Sequence, residues 1–287
     1  MSEDKSRAEI LIDALNYIKT FRDSVFIVKL GGEVVIDEQV IESVAKDLIF
    51  LNMVGIKPVV VHGGGREISN AMKKFGKKPE FIDGLRKTDK ETMDIVEMVL
   101  TGKINAQIVG YLTKLGGDAV GLSGKSGHLF KADKKDMEVD LGYVGQIREV
   151  NPEIVENQLE HGYIPVVSPI GVDEEGASMN INADTAAAEL AASLKAKKLI
   201  FLTNVEGVLD EEKKLIKRLT VPTARKLLNT SVAEGGMKPK LKACIQAVNQ
   251  GVERTHIIKA VTHAILEEIL TKTGTGTMIT KKKIKGE

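Results

Sequence analysis

The chain has 287 residues, 43% of them hydrophobic and 28% charged, with 41 Lys and Arg against 40 Asp and Glu. That composition supports a substantial core in one large α/β domain or two lobes, and with a net charge of +1 nothing points to a nucleic-acid surface. Cys244 is the one cysteine, no apolar run approaches a membrane span of ~20 residues, and the five histidines lack metal-ligand spacing. These features lead us to expect a cytoplasmic protein with no disulfide, no membrane contact and no protein-held metal.

Ala8 to Phe21 places Ile10, Leu11, Ala14, Leu15, Ile18 and Phe21 on a helical stripe ahead of the first strand. Such a helix either caps the core or packs on another subunit. Val25–Leu30 reads as a strand ending in Gly31-Gly32, with Lys29 interrupting its apolar run. An unpaired ammonium is costly to bury, and ligands of open α/β sheets sit beyond the strand C-termini. Lys29 is therefore a candidate to face a phosphate. A helix bearing Val40, Ile41, Val44, Ala45, Leu48 and Ile49 follows, stopped by Gly55.

Val59-Val60-Val61 then runs into His62-Gly63-Gly64-Gly65, and a helical pattern starts at Arg66. A strand, a glycine turn and a helix N-terminus together present bare N–H groups to an anion. A Cβ would block that approach. Phe81 to Thr88 reads as a turn-rich connector before a helix from about Lys90. Its Arg86 is either a surface charge or a bidentate carboxylate reader. Ala119–Leu122 is a short strand. The Ser123-Gly124-Lys125-Ser126 that follows is not a Walker loop, because Ala119 stands where its first glycine is required. Ile68 likewise breaks a dinucleotide fingerprint at Gly63.

Residues 131–148 suit an exposed hairpin or excursion, and Asn151-Pro152 suits a helix start. Ile164–Ser168 is a strand, and Gly171 to Gly176 reads as a turn. Asn180, Asn182 and Asp184 then lead into a helix with Ala187, Leu190, Ala191 and Leu194 on its apolar face. One acid in a first turn is worth ~0.3–1 kcal/mol to the helix, which leaves the two asparagines unexplained. Leu199–Thr203 is a strand entering the loop Asn204–Leu209, and Gly235-Gly236 opens the helix of Cys244, with Leu241, Ile245 and Val248 on its core side. Lys240, early in that helix, opposes the macrodipole, a local conflict of the kind found at functional sites. Thr255–Lys259 and Gly276–Ile279 complete the strands. The alternation implies a mostly parallel sheet between helical layers, shared by two lobes.

Seven pieces, in order and from about Ala8 almost to the end, resemble the amino-acid kinase family. They are Val28-Lys29-Leu30-Gly31-Gly32, Val61-His62-Gly63-Gly64-Gly65, Asp83-Gly84-Leu85-Arg86, Asn180-Ile181-Asn182-Ala183-Asp184, Thr203 to Val208, Gly236-Met237 with Lys240, and Gly274 to Ile279. The closest match is to members that phosphorylate N-acetyl-L-glutamate in arginine biosynthesis. The resemblance implies a three-layer αβα sandwich around a mainly parallel sheet of about eight strands, with an extra N-terminal helix. Residues 1–194 would form that helix plus the acetylglutamate-binding and dimerisation lobe, and residues 195–287 the ATP-binding lobe.

By the same resemblance Lys29 and Lys240 are transition-state lysines held by Asp184, and Gly64, Gly65, Arg86 and Asn180 contact acetylglutamate, Arg86 at its α-carboxylate. Gly31, Gly32, Asn204, Val205, Glu206, Gly207, Val208, Leu209 and Glu234 would serve the nucleotide. Tyr17, His256, Glu268 and Gly274 would lie near an arginine inhibitor, as in hexameric members built as trimers of dimers. The implied reaction moves the γ-phosphoryl of ATP, accompanied by Mg²⁺, to a side-chain carboxylate. With a pKa of about 4.3 that carboxylate is already ionised, so no general base is needed. One alternative is a kinase for N-acetyl-aminoadipate, one methylene longer, since a methylene discriminates by only ~1–3 kcal/mol. Gly84 to Thr88 looks more like the shorter-acid enzymes. The other is a non-catalytic amino-acid or nucleotide sensor on the same fold, which would not need both Lys29 and Lys240.

Overall fold

The computed structural model describes residues 7–233, 235–271 and 274–282. Its centre is an eight-stranded sheet: β1 (Val25–Leu30), β2 (Lys57–His62), β3 (Ala119–Ser123), β4 (Ile164–Ser168), β5 (Lys198–Thr203), β6 (Arg218–Thr220), β7 (Arg254–Lys259) and β8 (Thr277–Thr280). The spatial order is β6-β8-β7-β5-β1-β2-β4-β3. Neighbours from β7 across to β3 are parallel, while β8 runs antiparallel to β7 and carries β6 parallel to itself. In the middle strands Phe26 to Val28, Val59 to Val61 and Leu199 to Leu202 are all fully buried. Near-continuous apolar runs are what a sheet covered on both faces requires.

The two-residue period of a strand divides the core. Ile27, Val59, Val61, Val167, Leu199 and Phe201 face a layer that includes helices Ala183–Ser193 and Met237–Asn249. Phe26, Val28, Val60, Val166, Ile200 and Leu202 face the opposite layer, with helices Glu38–Met53, Gly65–Lys74, Ala106–Lys114 and Ala264–Ile269. Lys29 is two residues from Ile27, so it shares the face covered by the Ala183–Ser193 helix. Parallel register aligns Leu30 with His62 and with Leu202, so the loops after β1, β2 and β5 emerge at one edge.

Several elements differ from the sequence expectation. Gly171–Gly176 is not one long turn. Ile170–Val172 and Ser178–Asn180 pair antiparallel, and the reversal is confined to Asp173–Gly176, where Asp173 Oδ1 accepts from the N–H groups of Glu175 and Ala177. Gly171 is needed for packing, because a Cβ there would lie 2.8 Å from that of Ala132. The hairpin joins Phe130–Lys134 and Gly145–Val150 in a four-stranded sheet. The 131–148 excursion is thus partly core, with Ala132, Leu141 and Val144 buried. The connector at Phe81 contains a two-residue hairpin, Phe81–Ile82 with Leu85–Arg86. Strand Arg218–Thr220 and a π-helical segment, Met98–Asn105, also went unpredicted.

The first helix spans Arg7–Phe21. Phe21 is buried, edge-on to Phe26 at 5.3 Å, whereas Ile12 is 65% and Leu15 41% exposed. Phe21 and Tyr17 pack the C-terminal end of the helix on the core. Among the described residues no helix is long and apolar enough to cross a membrane.

Candidate active site

A cleft of about 620 Å³ opens at the edge where β1 and β2 end, between the two helical layers and the four-stranded sheet. Its base is ionic. Lys29, buried at the end of β1, places Nζ 2.6 Å from Asp184 Oδ1, and Lys240 places Nζ 3.5 Å from Asp184 Oδ2. Burial alone would raise the Asp184 pKa, but the two ammonium groups outweigh it and hold the carboxyl below its ordinary value. Asp184 is positioned by Asn182, whose Oδ1 accepts from the N–H groups of Asp184 and Thr185 at 3.0 and 3.1 Å. Asn182 is thus the N-cap of the helix. Lys240 also donates to Gly236 O at 3.2 Å, so its place in the first turn lets it bridge a backbone carbonyl and a neighbouring helix.

One wall is the glycine loop. Gly64 is the N-cap of helix Gly65–Lys74, so the first N–H groups of that helix lack intrahelical acceptors and face the cleft end of the macrodipole. A Cβ on Gly64 would come within 2.4 Å of Ile104 Cδ1, whereas one on Gly65 would meet open space. Gly65 therefore leaves room beside the loop, and Gly64 lets the loop lie on its support. Gly32 lines the same wall. Gly31 does not, and its N–H is engaged by Leu202 O at 3.1 Å.

Arg86 lines the same cleft. Its guanidinium donates to Gly65 O at 2.7 Å and Ser69 Oγ at 2.8 Å, contacts Met72 Sδ at 3.1 Å, and lies 4.7 Å from the Phe81 ring centroid. It is buried, and burial lowers its pKa, yet among the described residues no carboxylate pairs with it. Asn180 Nδ2 donates to Thr88 Oγ1 at 3.1 Å, and that hydroxyl donates to Arg86 O at 2.7 Å. Thr88 links the two candidate recognition residues, a role with no signal in the sequence beyond its place in the connector. The cleft therefore combines an ammonium pair held by Asp184, a helix N-terminus and a guanidinium, a set suited to anionic groups.

The loop after β5 is built differently. Asn204, Val205 and Glu206 are exposed, while Gly207 and Val208 are buried. Thr277 Oγ1 accepts the Val208 N–H at 2.8 Å. Asn204 to Leu209 do not line the cleft, and Glu234 lies outside the described residues.

A second cavity, of about 560 Å³, brings together Tyr17, His256, Glu268 and Gly274 with Lys198, Lys217, Arg254 and residues around them. Burial, aided by Lys198, pushes His256 down to about 4. The neutral ring then donates from Nδ1 to Glu268 Oε1 at 2.7 Å and faces Lys198 Nζ with Nε2 at 3.3 Å. For Glu268 burial acts upward, but His256 and the N–H groups of Thr275 and Gly276 prevail and bring it to about 2. Burial beside Arg254 lowers Lys198 to about 8. Lys198 gave no comparable signal, because it follows Lys197 at the start of its strand and does not interrupt an apolar run.

A kinase-type phosphoryl-transfer enzyme is the class of protein that this sheet and cleft define. The family model for the amino acid kinase family matches residues 24–259. The chain is 50% identical to the acetylglutamate kinases of Methanococcus maripaludis and Methanocaldococcus jannaschii, covering 98% of this chain and 100% and 98% of theirs. It is 48% identical to that of Halothermothrix orenii, covering 99% of this chain and 100% of the relative. In fold it resembles the N-acetylglutamate synthase of Neisseria gonorrhoeae, with a TM-score of 0.87 at 24% identity, over 98% of this chain and 65% of that longer one. It also resembles the carbamate kinase of Giardia lamblia, with a TM-score of 0.68 at 17% identity over 90% and 99%. The chain belongs to the amino acid kinase family.

Proposed function

We propose that the chain transfers the γ-phosphoryl group of ATP to the side-chain carboxylate of N-acetyl-L-glutamate, giving N-acetyl-L-glutamyl 5-phosphate and ADP in arginine biosynthesis. The observation that carries the reading is the Lys29–Asp184–Lys240 ion cluster at a cleft lined by Lys29, Asp184 and Arg86, the last without a carboxylate partner among the described residues. Relatives at about half identity over their whole length, each an acetylglutamate kinase, support it.

Arg86 would take the α-carboxylate of the substrate through the N–H groups it does not already use, with Asn180 beside it. That leaves the side-chain carboxylate directed at the cleft base. It attacks phosphorus as an anion, the P–O bond to the β-phosphate breaks, and ADP leaves with that electron pair. Lys29 and Lys240 neutralise the charge that spreads over the transferring group, and the Gly64–Gly65 N–H groups donate to its oxygens. Asp184 keeps both ammonium groups in place before substrate arrives, which removes reorganisation from the barrier. Among the described residues no group of three or more His, Cys, Asp or Glu side chains is placed to hold a metal. Mg²⁺ would accompany the ATP phosphates and supply charge neutralisation there.

In this reading residues 1–194 hold acetylglutamate and the dimer contact, and residues 195–287 hold ATP through the Asn204–Leu209 loop and Glu234, with Gly31 and Gly32 contributed from the first lobe. The second cavity is assigned to arginine as an inhibitor, with Glu268 for its guanidinium and the cations around it for its carboxylate. The exposed Ile12 and Leu15 of the first helix suit packing against another copy in a trimer of dimers. We assign the enzyme to the cytosol, a reading in keeping with relatives that are acetylglutamate kinases. ATP-dependent trapping of acyl phosphate as a hydroxamate tests the reaction, with N-acetyl-L-glutamate, N-acetyl-aminoadipate and glutamate compared. A strong signal with acetylglutamate alone is expected. A signal with the longer acid instead would move the enzyme to lysine-type substrates, and no signal with any acid would overturn the reading.

A further inference from the structure

We propose that the π-helical segment Met98–Asn105 positions the glycine loop for phosphoryl transfer, with Asn105 and His62 as the central pair. The inference rests on the reaction proposed above, and it assigns a task to residues that do not touch the reacting groups.

Three separate ties join this segment to the loop. Asn105 is buried, and its Nδ2 faces Val166 O at 2.8 Å, His62 Nε2 at 3.2 Å and Leu122 O at 3.4 Å. These atoms belong to β4, β2 and β3, so a single carboxamide gathers three neighbouring strands near the ends that feed the cleft. Leu100 and Ile104 form the second tie, lying directly under Gly64, where an added Cβ would be 2.7 and 2.4 Å from their terminal carbons. Lys103 forms the third, an ion pair with Glu67 in the first turn of the helix that the loop opens.

His62 is the last residue of its strand and immediately precedes Gly63-Gly64-Gly65. It is fully buried, and burial pushes its pKa down to about 4, so the ring is neutral at neutral pH. Because Nε2 faces the Asn105 amide, the ring proton sits on Nδ1, which faces Gly63 O at 3.3 Å. The imidazole thus relays the Asn105 contact to the first carbonyl of the loop. Space for the arrangement is kept on the neighbouring strand, where a Cβ on Gly121 would come within 2.1 Å of Asn105 Oδ1.

The winding of the segment explains how one stretch makes these contacts. Leu100, Ile104 and Asn105 are separated by four and five positions, offsets that share a face when hydrogen bonds run from i to i+5. In an α-helix Asn105 would turn away from the other two. π-Helical turns have poorer geometry and persist mainly where a site uses them. Here the use is to hold loop N–H groups whose displacement by 1 Å costs about 10²-fold in rate.

The test compares Asn105→Ala, His62→Leu and His62→Gln with the unaltered protein, measuring hydroxamate formation and thermal melting. Gln at 62 keeps an acceptor near the position of Nε2. We expect kcat to fall about 10- to 100-fold in Asn105→Ala and His62→Leu, with KM for N-acetyl-L-glutamate and ATP within about threefold, and His62→Gln to restore most of the rate. Lys103→Ala, at an exposed site, carries the test if Asn105→Ala does not fold, with kcat expected to drop about two- to fivefold. A lowered melting temperature with unchanged kcat would overturn the proposal, as would equal losses in His62→Leu and His62→Gln. Absence of turnover in the unaltered protein would instead remove the reaction on which it rests.

Discussion

Replacing Lys29 by Met removes one ammonium from the cleft base and keeps most of the side chain's volume. In the intact protein Lys29 Nζ lies 2.6 Å from Asp184 Oδ1, and both side chains are 7% exposed. At an effective dielectric of ~20, unit charges that close attract by about 6 kcal/mol, most of which offsets their desolvation. Leaving one buried member without its partner costs about 3–5 kcal/mol. Lys240, 3.5 Å from the other oxygen, recovers part of that, so a destabilisation of about 3 kcal/mol is expected at pH 7.5. The sign of the pH dependence follows from Asp184. Its folded-state pKa is lowered in the intact protein, so its stabilisation is present above the unfolded value and is lost as pH falls through the folded one. Without Lys29, burial prevails and the carboxyl pKa rises, so protonation on acidification relieves the variant. Urea denaturation at pH 7.5 and 5 should show the gap between the two proteins narrowing toward acid. Hydroxamate kinetics should show kcat down about 10²- to 10³-fold and KM for acetylglutamate changed only a few-fold. A pH-independent gap, or near-normal kcat, would refute the reasoning.

Arg86→Ala should raise KM for N-acetyl-L-glutamate about 10- to 100-fold with a smaller change in kcat, since charged hydrogen bonds are worth about 1.5–3 kcal/mol each; steady-state kinetics decide, and an unchanged KM removes Arg86 from the substrate site. Asn182→Ala removes the cap that accepts from the Asp184 and Thr185 N–H groups. It should cost about 1 kcal/mol in denaturation and lower kcat, because Asp184 occupies the turn so loosened; unaltered kinetics would show that the cap serves stability alone. Gly274 has φ +53, and a Cβ there would lie 2.9 Å from Glu268 Oε2. Gly274→Ala should cost roughly 1–2 kcal/mol and weaken any arginine inhibition, whereas full inhibition in this variant would contradict the assignment of that cavity.

Much of this was legible along the chain, for local reasons. Lys29 and Lys240 each broke a rule of their own element, one as a charge in an apolar strand and the other as a cation at a helix start. The valine-rich strands were legible because burial on both faces leaves no polar alternation to confuse them. Other features left no such trace. Asn180 and Asn182 look alike in sequence and both line the cleft, yet Asn182 caps a helix whereas Asn180 donates to Thr88, a difference set by where the strand ends. The Met98–Asn105 segment is apolar at offsets that an α-helical reading accepts, so its π winding is invisible to a 3.6-residue template. Gly171 read as part of a turn because its reason to be glycine is Ala132, distant in sequence and adjacent only once two strands pair.

The sequence by itself determined the alternating α/β order, the glycine loops at the strand ends and the identities of the charged residues that form the cleft base. Each of these depends on hydrophobic period or backbone freedom within a few neighbouring residues. The family resemblance already implied that Asp184 holds Lys29 and Lys240 and that Tyr17, His256, Glu268 and Gly274 share a site, but only the tertiary structure supplied the distances and the cavity, and it alone showed Arg86 buried without a carboxylate partner among the described residues. Those groupings follow from strand order. Parallel crossovers bring β5 beside β1, and the antiparallel return of β8 lays Gly276 against β7. The energy of charges held a few ångströms apart depends on distances that the linear chain does not contain.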